Sequence, residues 1–404
     1  MIGGPGSRGP GSRSGPGWRP RQPALWIVIA AAGVAFVVAV SAIAVIREQV
    51  SPARSDAAPT AGILPVEHWQ ERFDADADIL YERSLDESES ADSWDYYQLA
   101  YGIDAYTAMY EATGETRYLD TALRLIANMV SDAWPSSSIG TSQYRDRYLG
   151  WTSKRADVRG EEVPLFESYN WRYVTRTLRV MRQTPAIYDD PAYRAQYERL
   201  LNFTEVNIFE KWYARGADET IYRNRTHMAA HWAYIAVDLF TLTADEARRA
   251  RYQEVFSNID RDLPNYSSSL RNQLQITGSD PPAYFWSAVW GGSQRPCQDV
   301  SHGNGVIAYV VEAHELGSEW TETDMARFSA ALTEFILRDD GTSAEYVDGT
   351  GDGRGGFADG FVKLGRFDPA VQTRLQEHGV QNAHYYAGMA LNAAVLRIGE
   401  SRGR

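Results

Sequence analysis

Five short segments of this chain concentrate the residue types that transfer protons and grip polar ligands. They are Trp94-Asp95-Tyr96-Tyr97-Gln98, Tyr169-Asn170-Trp171-Arg172, Asn224-Arg225-Thr226-His227, Gln298-Asp299-Val300-Ser301-His302-Gly303-Asn304 and Gln381-Asn382-Ala383-His384-Tyr385. Each stands at the start of a stretch whose apolar residues recur at three and four, so each is expected at a helix N-terminus. Free backbone N–H groups and the positive end of the helix dipole make such a terminus favourable for hydroxyls and carboxylates. Capping alone accounts for one Asp, Asn or Ser per segment. It leaves the accompanying Trp, Tyr, His and Arg unexplained.

Two chemistries fit this inventory. Hydrolysis of a glycosidic bond needs one carboxyl group as acid and one as base or nucleophile, and Asp95 and Asp299 are the best-placed pair, with Glu167 in reserve. Elimination beside a uronate needs groups that neutralise its carboxylate and a base for the adjacent proton. Asn170, Arg172, Asn224, Arg225, His227, His302 and Tyr385 supply that set, which slightly favours elimination. The expected catalytic residues are therefore Asp95, His227, Asp299, His302 and Tyr385. Trp94, Tyr97, Asn170, Trp171, Arg172, Asn224, Arg225, Asn304, Asn382 and His384 are expected to contact substrate.

Other motifs are weaker. His227 and His231 stand four apart on one helix face, but no Glu intervenes as in a metalloprotease motif, so a packed His231 beside a functional His227 is expected. Gly303 and Gly305 flank His302 and would let backbone approach a ligand. The run DGTGDGRGGFAD partly matches a calcium loop through Asp348, Asp352 and Asp359, although Gly replaces the apolar eighth residue and Asp the final Glu; a Gly-rich lid is the stronger expectation. No other cofactor is expected.

These residues are positioned by helices. Strand-type alternation is scarce, and helical stretches pair across breaks at Thr113-Gly114-Glu115, Thr243-Ala244-Asp245 and Gly317. Helix pairs that cannot bury both faces alone must stack on one another. The last helix, at 383–398, is expected to meet the one near 66–84 and close a ring. Ahead of this domain, at 66–400, come a Gly/Pro/Arg-rich tail at 1–24, an uncharged apolar run at 25–46 long enough to span a bilayer, and an Ala/Pro/Ser linker at 47–65. Four Arg precede the apolar run, which predicts a single-pass anchor with the domain outside the cytoplasm. The net charge is −13 and residues 1–50 hold five Arg against one Glu, so the domain is more acidic than the whole chain and a nucleic-acid partner is not expected. Cys297 stands alone, which excludes an intramolecular disulfide or a cysteine zinc cage.

With its hairpin rhythm and mouth residues such as WDYYQLAYGIDAYTAMYEATG, the chain resembles the six-hairpin (α/α) toroid superfamily of glycoside hydrolases and polysaccharide lyases over residues 66–400. The resemblance is architectural. It implies an all-α toroid of five to six hairpins and an oligo- or polysaccharide substrate, cleaved by a lyase or a hydrolase or, in a third reading, held by a glycan-binding scaffold.

Overall fold

The computed structural model describes residues 62–291, 297–351, 353 and 355–403, with side chains to residue 399. The tail at 1–24 and the apolar run at 25–46 lie outside the described residues, as does most of the linker. No helix among the described residues is long and apolar enough to cross a membrane.

Eleven helices frame the domain: α1 (Val66–Ser88), α2 (Ser93–Thr113), α3 (Thr116–Ser131), α4 (Pro164–Gln183), α5 (Pro191–Phe203), α6 (Thr226–Leu242), α7 (Glu246–Arg261), α8 (Val300–Glu315), α9 (Glu322–Ala330), α10 (Pro369–Glu377) and α11 (Ala383–Gly403). Helices α5 and α9 run on as π-helical turns, and a 3₁₀ segment spans Phe361–Arg366. The punctuation follows local chemistry. Gly114 ends α2 in the left-handed region at φ 76°, where a residue without Cβ is unstrained. Asp245 starts α7 by accepting hydrogen bonds from the N–H groups of Ala247 and Arg248.

Packing between elements makes a closed ring. Helix α2 packs on α4, α4 on α6, α6 on α8, α8 on the 3₁₀ segment, that segment on α11, and α11 back on α2. Each inner element pairs with an outer one: α3, α5, α7, α9, α10 and finally α1, which lies against α11. The ring is thus an (α/α) toroid of six hairpins, closed by the first and last helices as the sequence predicts. Two two-stranded ribbons, Trp134–Pro135 with Leu149–Gly150 and Gln275–Ile276 with Tyr284–Phe285, occupy long connections.

Burial explains why inner and outer helices read differently. Helix α3 is apolar on one face only, through Leu119, Ala122, Leu123, Ile126 and Met129. Helix α6 is buried almost all round, from His227 through Phe240. Its inward residues are polar because they face the ring axis.

That axis is filled with charge. Arg176 binds Asp104 and Glu111, and Arg179 lies among Glu312, Asp238 and Glu315. Arg366 reaches Glu315 at 2.8 Å. Asp238 has a raised pKa, from burial first and then from the neighbouring Glu312 charge, so this lower cluster holds a proton.

The fifth inner element, the 3₁₀ segment, is short and needs a glycine to fit. A Cβ on Gly360 would sit 2.8 Å from the Asn304 carbonyl carbon and 2.9 Å from the Ala308 nitrogen, both backbone atoms of α8. Gly360→Ala is expected to lower stability by about 1–3 kcal/mol, because helix backbone cannot yield as a side chain can. Thermal unfolding beside Gly140→Ala, a site with nothing within 4 Å, checks this; equal melting points would remove the close-packing explanation.

Candidate functional site

The inner helices all present their opening turns to one end of the ring, and four ring-to-ring contacts knit them together there. Tyr97 of α2 stacks on Tyr169 of α4 at 3.9 Å, and Tyr169 meets His231 of α6 edge-on at 5.1 Å. His227 of α6 lies 4.4 Å from His302 of α8, and His384 of α11 lies 5.4 Å from Tyr101 of α2. Along α2 the residues facing the axis are Trp94, Tyr97, Tyr101 and Asp104, spaced three, four and three apart. They descend from the lip to the floor.

On one side of the mouth is an imidazole–carboxylate group. Asp299 caps α8 by accepting from the His302 N–H at 3.0 Å, and its Oδ1 also lies 2.8 Å from His302 Nδ1. Burial raises the Asp299 carboxyl, but the His302 hydrogen bonds outweigh it and the net shift is downward. The same hydrogen bond raises His302. Each partner thus favours the charged form of the other. His227 differs: it is 7% exposed, and burial, helped by the positive charge of His302, holds its pKa to about 3. It is a neutral imidazole, and its Nδ1 is buried without a hydrogen-bond partner among the described residues.

Below the mouth lies Arg172, fully buried and paired with Asp359 at 2.9 Å. The Tyr173 hydroxyl binds the other oxygen of Asp359. Arg172 also reaches His231 Nδ1 at 3.3 Å, and burial beside this cation keeps His231 neutral. Deeper still, Asp104 receives Lys363 Nζ at 2.7 Å and His384 Nε2 at 2.9 Å, together with Arg176. Burial alone would raise the Asp104 pKa, yet Lys363 and Arg176 hold it well below the usual carboxylate range. Asp104, Asp359 and His384 bring three potential metal-ligand atoms within 4.8 Å. Three cations already neutralise the two carboxylates, so a metal ion would meet repulsion there.

Of the expected residues, Trp94, Tyr97, Arg172, His227, Asp299, His302 and His384 converge on this mouth. Arg225 is exposed at the start of α6, close enough for its charge to lower both His227 and His302. Asn224 is exposed beside it.

The others face elsewhere, and each has a structural employment. Asp95 is half-buried on α2, and its charge raises the pKa of Glu87 on α1. Tyr385 donates its hydroxyl to the Leu375 carbonyl at 2.6 Å, under α10. Asn170 donates to the Tyr96 carbonyl at 2.6 Å, tying α4 to α2. Trp171 donates to Thr204 Oγ1 and packs among Trp151 and Phe203, on the outer layer. Asn304 binds the Gly356 carbonyl at 2.6 Å and accepts from the Phe361 N–H, fastening the glycine-rich segment and the 3₁₀ turn to α8. Asn382 is exposed and accepts from the Tyr385 N–H at the start of α11. Glu167 is buried between Lys211 and Trp212.

Two motif readings also change. A Cβ on Gly305 would collide with the His231 ring, and one on Gly303 would lie 3.2 Å from Phe361. These glycines admit neighbouring side chains, not a ligand. The calcium-loop pattern does not close: Asp348 receives Thr350 N and Oγ1 at 3.1 and 2.6 Å, Asp359 is the partner of Arg172, and Asp352 lies outside the described residues. Sequence reasoning missed Tyr101, Asp104 and Lys363. The first two were detectable as continuations of the Trp94–Tyr97 spacing; nothing in FVKLGR marks Lys363 as inward.

No family model and no curated protein matches the chain. Among solved structures it is similar to the α-1,6-mannanase of Salegentibacter sp. HEL1_6, at 11% identity and TM-score 0.40, covering 83% of this chain and 100% of that one. An inactive variant of the same enzyme with α-1,6-mannotriose gives TM-score 0.39 at 11% identity over the same shares. The family 76 glycoside hydrolase (mannosidase) of Bacteroides thetaiotaomicron VPI-5482 gives 0.37 at 9% identity, over 80% of this chain and 100% of that one.

The Asp299–His302 pair has a defined pH window. Asp299 falls below its ordinary 3.8, so its contribution is present above that value and is lost as pH drops through the lowered one. His302 rises above its ordinary 6.5, so its contribution is full below 6.5 and is lost as pH climbs through the raised one. Imidazole ¹⁵N titration should give His302 a midpoint above 6.5 and His227 no protonation until about pH 3. In Asp299→Asn the His302 midpoint should drop; an unmoved midpoint would break the pairing.

Proposed function

We propose that this mouth is the active site of an enzyme that cleaves glycosidic bonds in an oligo- or polysaccharide. One observation carries the reading: a neutral, buried His227 stands 4.4 Å from His302, which a carboxylate holds in place and biases toward its protonated form. A neutral imidazole beside a group biased toward its cation is the pairing that proton abstraction next to a carboxylate uses.

β-Elimination uses these groups as follows. His302 and Arg225 face the sugar carboxylate and stabilise the charge that spreads onto it. His227, whose pKa rises from about 3 as the sugar carboxylate offsets the neighbouring positive charge, takes the proton on the carbon bearing that carboxylate; the C–H electrons form the new double bond, and the bond to the leaving oxygen breaks. Tyr101 returns a proton to that oxygen. Its pKa is raised by burial and by Asp359, so it is protonated, and the Tyr169 hydroxyl donates to it at 2.7 Å. Hydrolysis is the second reading, favoured by the closeness of Asp104 and Asp359, whose ligand atoms fall within 4.8 Å. That is near the roughly 5 Å spacing of a retaining carboxylate pair. Both carboxylates, however, are clamped by cations, which ill suits the acid. We further propose that the domain works outside the cytoplasm, tethered through residues 25–46.

Product chemistry tests the proposal. Polyuronates and α-1,6-mannan are incubated with the purified domain: elimination yields an unsaturated uronate absorbing in the near ultraviolet, hydrolysis only new reducing ends. His227→Ala should reduce kcat by roughly 10²–10⁴-fold, the usual size of a general-base contribution. Asp95→Asn should leave kcat unchanged, since elimination through His227 gives Asp95 no step. Full activity in His227→Ala overturns the assignment.

A further inference from the structure

The aromatic side of the mouth is a column with a cation at each end. Arg155 lies over Trp94 at 4.3 Å, Trp94 stacks on Tyr97 at 5.1 Å and 14°, Tyr97 on Tyr169 at 3.9 Å and 19°, and Arg172 lies over Tyr169 at 4.1 Å. Both faces of Tyr97 and Tyr169 are therefore occupied, and neither ring can stack on a sugar. The two cations differ sharply. The Arg172 side chain is fully buried and ion-paired with Asp359. The Arg155 side chain is 42% exposed, on the connection between α3 and α4, and its ion-pair partner Asp157 is 60% exposed. Arg155 also lies 5.9 Å from the Phe166 ring, at the outer limit of such a contact, and water screens its contacts with Trp94 and Asp157, so its displacement is cheap. Trp94 itself is fixed, with Phe166 against it at 5.0 Å.

We infer that the outer face of Trp94 is a sugar-binding subsite and that Arg155 is its displaceable cover, an inference that rests on the glycan-cleaving reading above. The negative π face of an indole attracts a guanidinium and the weakly positive C–H face of a pyranose ring for the same electrostatic reason. A sugar ring arriving at the lip takes the place of the guanidinium, which stays with Asp157. This subsite selects for an unsubstituted C–H face, and it carries no charge preference of its own once Arg155 has moved.

The cover makes a prediction of unusual sign. Calorimetric titration of the full domain with α-1,6-mannotriose and with a galacturonate trimer should show Arg155→Ala binding its preferred trimer roughly two- to fivefold more tightly than wild type, since an exposed cation–π contact no longer competes. Trp94→Ala should lose about tenfold, and Trp94→Leu serves if the first variant does not fold. Weaker binding by Arg155→Ala would make Arg155 a sugar ligand and overturn the cover. Equal affinity in wild type, Arg155→Ala and the Trp94 variants would place the subsite elsewhere. If polymer is cleaved but neither trimer binds wild type or Arg155→Ala, the subsite fails while the catalytic reading stands; absence of both binding and cleavage removes the two together.

Discussion

The ion pair of Arg172 with Asp359 is the contact on which the mouth is built. Arg172 belongs to α4, Asp359 precedes the 3₁₀ segment, and the same guanidinium touches His231 of α6 and the ring of Tyr169. Removing two charges from water is expensive, and attraction offsets that cost only with good geometry and further hydrogen bonds. Asp359 has such support, since Tyr173 binds its second oxygen. Three inner elements are thereby held in one register around the floor. Loss of either partner would strand a buried charge.

The burial that fixes this pair also sets the protonation of the groups above it. His231 and His227 are neutral because they are desolvated beside positive charge, whereas His302, more exposed and facing Asp299, is biased toward its protonated form. Identical side chains thus acquire opposite roles within a few ångströms. Below them, cations and carboxylates alternate down the ring axis through Asp104, Arg176, Glu111 and Arg179. Below the lip the axis is lined with paired charges.

Much of the architecture was readable along the chain. The breaks at Gly114, Thr243 and Gly317, the outer helix α3 with its single apolar face, and the meeting of the first and last helices all follow from local spacing and capping. The convergence of polar helix starts was readable too, since hairpins of similar length bring inner helices to the same end. Individual assignments were less secure. Trp94 and Asp95 are neighbours in sequence, but successive residues of a helix point about 100° apart, so one joins the aromatic column while the other faces Glu87. Asn170 and Trp171 sit between Tyr169 and Arg172 yet serve the seams with α2 and the outer layer. Trp94 and Tyr97, expected to contact substrate, stack on each other, and Tyr97 stacks on Tyr169.

The sequence by itself determined an all-helical chain of hairpins, the end of the ring where chemistry gathers, and the residue types found there, because helix periodicity and capping are local properties. Tertiary structure alone decided which face of each helix turns to the axis, that Gly305 makes room for His231, and that Asp359 leaves its glycine-rich surroundings to meet Arg172 across 187 residues. Those outcomes depend on the rotation and closure of six packed elements. No one helix encodes its own rotation, because its neighbours set it.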